Sequence, residues 1–488
     1  MKLKIQSIFC ILFVPYVTQA RGEIFCHEDF TNDQIIELSC SGKNLNDGNY
    51  WDTLNTTFYE TELSIRAKNS VDYRNIAFYV ENNRIESLNV LPFMPTVATL
   101  SFKNNRLVSG AASTFHKLPD LKHLDLSHNY FKSEFLTKYF FKGKDNEALK
   151  LEHLNLAYNS MSSLPEDLFF YLTNLISLDL GYNPLSFLTK ETISAISQLR
   201  KLQVLSLAQT QLSYIPDVFF SKISVRSLYL NGNYFAEIPK SLRHLGNHLE
   251  YLNLNDNPVH EIDSQSFVGL SNLRELDMNA MEALTSIREN AFSPLVSLSI
   301  LRCSYNPLLG SIHPTAFLGL KQNWNLKEIF LDDNNLRYLA EETVELKKIN
   351  IFSVRGNPWN CTCSLKWLYQ YVKEREKHDP EANIGIRCKY PEKLFKRWLL
   401  NVEKMLKCNE TKETPSSHHF IRSSFVFVSI IIIILFLILA ALYFCLVEIR
   451  QKLNTIDRQL GSHISTAAKY KRAELRDNDG ILDTSEND

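Results

Sequence analysis

Two histidines, His123 and His153, hold the same place in consecutive copies of one motif, LKHLDLSHNYF (121–131) and LEHLNLAYNSM (151–161). Imidazoles on neighbouring strands approach closely enough to share a metal, but a zinc site needs three or four ligands, and two unpartnered histidines on a sheet surface are more often simply solvated. No metal and no cofactor are expected. Three catalytic signatures are also missing from the sequence: a phosphate-binding Gly-rich loop, G-x-S-x-G and H-E-x-x-H. The chain therefore reads as a non-enzyme, and no nucleic-acid partner is expected. Side chains suited to a protein interface do recur. Tyr158, Tyr182, Tyr229, Tyr251, Arg302, Tyr305 and Phe330 fall at positions expected to face outward from short strands, and Tyr and Arg bury apolar area while keeping a hydrogen-bonding group. They are the expected partner-binding residues, with Arg302 and Phe330 foremost.

These side chains are placed by a repeat. L-x-x-L-x-L-x-x-N-x-L returns every 22 to 30 residues across 75–359, about twelve times. A fixed period of this length with this motif is the signature of a leucine-rich-repeat solenoid. The expected fold is an α/β leucine-rich-repeat solenoid: a curved parallel sheet, strands about 4.8 Å apart, with an irregular convex side. The motif's asparagines are Asn83, Asn105, Asn129, Asn159, Asn183, Asn233, Asn257, Asn306, Asn334 and Asn357. An amide both donates and accepts, so each satisfies backbone groups left open where a strand ends. Phe115, Phe169, Phe219, Phe267, Phe292 and Phe317 form a second column, expected to fill the convex side. Thr210 and Met281 replace asparagines, and the Met281 repeat carries an extra residue before Leu284, which predicts a distortion over 279–284. The longest interval holds 132–150, read as a tolerated insertion, with a partner-binding loop as the alternative.

Cysteines and apolar runs assign the compartment. Lys2 and Lys4 precede an apolar run over 5–17, and small residues follow, so 1–20 reads as a signal peptide. Residues 425–447 are apolar but for Ser429 and Tyr443, enough to cross roughly 30 Å of hydrocarbon. One transmembrane helix is thus expected, preceded by a polar stalk (409–424) and followed by a short disordered cytoplasmic tail (448–488). Cys26 and Cys40 precede the repeats, in an N-terminal cap and first strand region (21–74), and Cys361, Cys363, Cys388 and Cys408 follow them in a C-terminal cap (360–408). In a secreted context such even sets read as disulfides. Cys303, at a leucine position, is expected to be a buried free thiol. Asn55, Asn360 and Asn409 begin glycosylation sequons. The basic residues of the C-terminal cap, among them Lys393, Lys396 and Arg397, read as a solvated face, with attraction for sulfated glycans or lipid headgroups as the alternative.

The repeats, followed by N-P-W-N-C-T-C (357–363) and by Cys388 and Cys408, resemble the extracellular leucine-rich-repeat family, which includes Toll-like receptor ectodomains and insect and neuronal adhesion proteins. The intracellular Toll domain is not matched by the 448–488 tail. The resemblance implies the pairings Cys361 with Cys388 and Cys363 with Cys408. The signal peptide followed by one span predicts a single-pass type I plasma-membrane protein, N-terminus outside, and the resemblance implies a receptor or adhesion molecule acting on an extracellular protein ligand or on a like molecule of another cell, with a membrane co-receptor as a further partner. Two alternatives stand beside it: an auxiliary subunit modulating a channel or receptor in the same membrane, and innate-immune recognition of microbial ligands.

Overall fold

The computed structural model describes residues 26–30, 35–67, 75–377 and 386–402, together with Cys408, Tyr443 and Leu446. The expected signal peptide, stalk and tail lie outside these residues, as do Asn409 and all of 425–447 except Tyr443 and Leu446. Among the described residues no helix is long and apolar enough to cross a membrane. The chain divides into two units, Met1–Lys407 and Cys408–Asp488, and the first of them holds the repeats.

Fourteen strands form its main sheet in chain order: His27–Phe30 (β1), Ile35–Ser39 (β2), Asn75–Tyr79 (β3), Val97–Ser101 (β4), His123–Asp125 (β5), His153–Asn155 (β6), Ser177–Asp179 (β7), Val204–Ser206 (β8), Ser227–Tyr229 (β9), Tyr251–Asn253 (β10), Glu275–Asp277 (β11), Ile300–Arg302 (β12), Glu328–Phe330 (β13) and Ile351–Ser353 (β14). Only the β1–β2 pair is antiparallel; from β2 onward every pairing is parallel. Each short strand turns its middle residue inward. Leu124, Leu154, Leu178, Leu205, Leu228, Leu252, Leu276 and Leu301 therefore stack as one buried column and fix the register.

The asparagines tie successive repeats together. Asn183 Nδ2 donates to Leu156 O at 2.9 Å, one repeat back, and to Leu180 O at 3.0 Å, while its Oδ1 accepts from Met161 N at 3.1 Å. Asn129, Asn159, Asn233 and Asn257 repeat this pattern. Thr210 keeps half of it, its hydroxyl donating to Leu207 O at 2.7 Å.

At Met281 the turn is rebuilt. The side chain is fully buried, Met281 N donates to Asn306 Oδ1 at 2.7 Å, and Leu284 N closes a turn on Met281 O at 3.2 Å. Asn279 also bridges its neighbours, donating from N to Asn255 Oδ1 and accepting from Ser304 N at 2.8 Å. The rearrangement stays within the turn, because β10, β11 and β12 pair without a slip. A second turn of the same kind follows in the next repeat. Asn306 carries the same turn, Leu309 N donating to Asn306 O, so Leu309 is buried while Leu308, the expected motif leucine, is 53% exposed. Short outer strands Glu261–Ile262, Ser286–Ile287 and Ser311–Ile312 pair in parallel beside these turns.

The phenylalanine column is buried throughout, and Phe267, Phe292 and Phe317 stack with ring centroids 6.0 and 4.8 Å apart. Phe115 meets the insertion instead. Its ring lies 5.2 Å from that of Phe140 and 6.2 Å from that of Phe141, both buried, so 132–150 is pinned to the core by two side chains. Gly110 leaves the room, since a Cβ there would sit 2.1 Å from the Phe140 ring.

The ends are closed differently. At the N-terminal end, the β1–β2 hairpin carries the Cys26–Cys40 disulfide and a helix, Tyr50–Ala67 (α1), covers the first repeat with Tyr50, Leu54 and Phe58, spaced to share one face. That helix was not expected from the sequence. At the other end Trp359 is fully buried and donates to Val354 O at 3.0 Å, Trp367 donates to Leu339 O at 3.1 Å, and Cys361 is bonded to Cys388. Cys363 and Cys408 are also disulfide-bonded. Cys303 is a buried free thiol, and burial pushes its pKa up to about 12.

Candidate interaction surface

The first and third residues of each three-residue strand face away from the core, so the fold itself selects which side chains meet a partner. On β5 and β6, His123 and His153 are direct cross-strand neighbours, with rings stacked 4.4 Å apart and 6° from parallel. Partial burial, and then the adjacent His153, lower the pKa of His123. Among the described residues no group of three or more His, Cys, Asp or Glu is placed to hold a metal ion. Beside the histidines, Asn155 donates to Asp125 at 3.2 Å, and Lys122 pairs with Glu152 at 3.2 Å.

Farther along, β9 to β13 carry a connected network. Asp277 is its centre: one carboxylate oxygen accepts from Tyr251 Oη at 2.7 Å and the other from Arg302 Nη1 at 2.9 Å. Arg302 also reaches Glu275 at 3.4 Å, and its guanidinium lies 6.0 Å from the Phe330 ring. Tyr229 packs on Tyr251 with centroids 5.1 Å apart. Burial and the hydrogen bond to Asp277 hold the Tyr251 phenol above its ordinary pKa, so it stays a donor. Four of the expected contact residues, Tyr229, Tyr251, Arg302 and Phe330, thus meet in one place. Glu275 and Asp277, which join them, were missed. Their signal was present, since an arginine one strand beyond two acids at matching positions predicts a cross-strand ion pair.

The other three expected residues are not on strands. Tyr158, Tyr182 and Tyr305 sit in the turn just before the motif asparagine, at φ of 55°, 55° and 60°. This left-handed position recurs along the repeats, and it turns the side chain toward the rim of the sheet. There His128, Tyr158 and Tyr182 stack in a row, with centroid spacings of 4.0 and 3.8 Å. The Tyr158 pKa is pushed up to about 12, first by its hydrogen bond with Tyr182. Of the sequons, Asn55 lies on the exposed face of α1 and Asn360 is exposed in the C-terminal cap.

A sheet whose successive parallel strands mostly end in asparagine-closed turns, with no catalytic constellation among the described residues, defines a repeat scaffold that presents a surface. The chain matches the family described as Leucine rich repeat over residues 77–132, 150–204 and 247–308. It is similar to Transforming growth factor beta activator LRRC33 of Danio rerio, 28% identical over 58% of this chain and 37% of that protein. Tsukushi of Gallus gallus is 25% identical over 57% of this chain and 67% of its own length, and Lumican of Homo sapiens 28% identical over 44% and 67%. These relatives are extracellular leucine-rich-repeat proteins. The chain spans little more than a third of the zebrafish relative's length.

Proposed function

We propose that this chain is a type I cell-surface protein, anchored by 425–447, whose ectodomain binds a macromolecular partner as a receptor or adhesion molecule and performs no catalysis. The observation that carries this reading is the Tyr251–Asp277–Arg302 network with Tyr229 and Phe330, which sets aromatic and cationic groups in fixed positions on an outward sheet. The His128–Tyr158–Tyr182 row supplies a second aromatic strip along the rim. The zebrafish relative is named as an activator of transforming growth factor beta, so a growth factor of that class is the first soluble probe. The disulfides Cys26–Cys40 and Cys361–Cys388, with Cys363 and Cys408, suit an oxidising compartment.

The test displays the full chain on cells and offers two probes, that growth factor and other cells bearing the same chain. Capture of either, weakened by Arg302→Ala, supports the assignment. Capture that Arg302→Ala leaves unchanged would move the binding face elsewhere, and capture of neither would favour a partner within the same membrane.

A further inference from the structure

The C-terminal cap differs in charge from the rest of the protein. Residues 361–408 hold eleven Lys and Arg against six Asp and Glu, in a chain of formal net charge -1. Five of these cations, Arg387, Lys389, Lys393, Lys396 and Arg397, are exposed on one segment, 387–398, made of the short strand Cys388–Tyr390 and the loop that follows it. From 387 to 398 the only acid is Glu392. A solvated basic face is normally interleaved with acids, and this one holds a single acid among five cations.

The loop is held firmly at its base. Cys388 N donates to Arg397 O at 2.9 Å, Lys396 N donates to Cys388 O at 2.8 Å, Cys388 is bonded to Cys361, and Leu394 is buried beneath. The Arg387 guanidinium lies 4.0 Å from the Trp398 ring centroid. Yet Phe395, next to buried Leu394, is 52% exposed, with Lys396 Nζ 5.3 Å from its ring. Lys396 itself is in the left-handed region at φ 61°, which a non-glycine residue rarely adopts. The fold thus presents an apolar ring among cations on a rigid support.

We propose that this loop docks on a membrane surface carrying anionic phospholipid headgroups, with Phe395 entering the interface and the surrounding Lys and Arg pairing with phosphates. Basic residues around an aromatic side chain are the composition of interfacial segments, and each Lys or Arg near such a surface strengthens partitioning about fivefold. Chain length agrees. Sixteen residues, 409–424, separate the cap from the apolar stretch 425–447, and such a tether reaches at most about 58 Å. A sulfated polysaccharide would satisfy the cations but leave Phe395 without a role. The inference rests on the proposed membrane anchorage.

The test reconstitutes the full chain in nanodiscs of phosphatidylcholine, alone or mixed with phosphatidylserine, and follows amide exchange over 387–398. Exchange should slow about tenfold in the mixed discs and recover in high salt. It should not slow in Phe395→Ser or in the triple variant Lys393→Glu, Lys396→Glu, Arg397→Glu; thermal unfolding of each variant establishes that its solenoid is intact, and the salt arm needs no variant. Equal exchange in the two kinds of disc overturns the proposal, as does slowing that appears only when heparin is added. Alkaline carbonate extraction reports on 425–447 separately: a chain stripped from the membrane sinks the anchorage, whatever the loop does.

Discussion

Strands β5 to β8 and strands β10 to β13 share one backbone, one register and one leucine column, yet their outward side chains are organised in different ways. In the first group the residues are small or weakly joined: a histidine pair, one Asn155 to Asp125 contact, and serines at Ser177 and Ser206. In the second, Tyr251, Asp277, Arg302 and Glu275 are linked from strand to strand and flanked by Tyr229 and Phe330. The repeat therefore sets where side chains point, while the variable positions set whether they act singly or together. A linked set is already ordered before a partner arrives, which lowers the entropic cost of binding.

The largest effect should come from the scaffold common to both regions. Asn183→Ala leaves Leu156 O, Leu180 O and Met161 N without the bonds the amide now makes in the buried turn. We expect a loss of about 3 kcal/mol in unfolding free energy, read from denaturant melts. A much smaller loss would mean that water replaces the amide and that the ladder tolerates a missing rung.

Next in size is the network. Asp277→Ala leaves Tyr251 Oη without its acceptor and Arg302 with Glu275 alone, and should weaken partner capture by at least about tenfold. Asp125→Ala, at the matching position in the other region, should change it by less than about twofold. Equal losses would erase the distinction between the regions.

A third contrast lies in pH. Because His123 titrates below the ordinary histidine range in the folded protein, the unfolded chain takes up protons first as pH falls. The stability is complete above about pH 6.5 and declines as pH drops through that value toward the folded pKa. His123→Asn should flatten this part of the stability profile. The Tyr251–Asp277–Arg302 network holds no histidine, so Asp277→Ala should leave that slope unchanged.

Much of this was legible in the sequence because the period constrains it. The leucines, the asparagines and the phenylalanine column each recur at one place in the motif, and their chemistry there admits one reading. The misses fall where a local choice decides. In the 306–309 turn, Leu308 and Leu309 are equally apolar, and only a turn matching that at Met281 puts Leu309 inside. Tyr158, Tyr182 and Tyr305 lie on turns where strands were expected, because the motif gives spacing and not φ. The α1 helix covers the first repeat through Tyr50, Leu54 and Phe58, which follow no repeat period. Pinning of the insertion by Phe140 depends on the absence of a side chain at Gly110, a position whose residue type the motif leaves open.

The smallest expected effect isolates conformation from contact. Gly232 holds the left-handed place that Tyr158 and Tyr182 hold in their repeats, at φ 67°. A Cβ there would meet the Gln209 amide at 1.9 Å, in the space through which Gln209 reaches Asp256 at 3.3 Å. Because the obstacle is the far end of a half-buried, flexible side chain, Gly232→Ala should displace Gln209 and not the backbone. The cost then comes mainly from the left-handed conformation, about 1 kcal/mol in unfolding free energy. Partner capture should stay within about twofold, since additivity holds when the altered group is outside the binding network. A larger loss of capture with the same stability cost would extend the partner's footprint from the network to the Gln209–Asp256 rim, and so join the two regions that the fold otherwise keeps distinct.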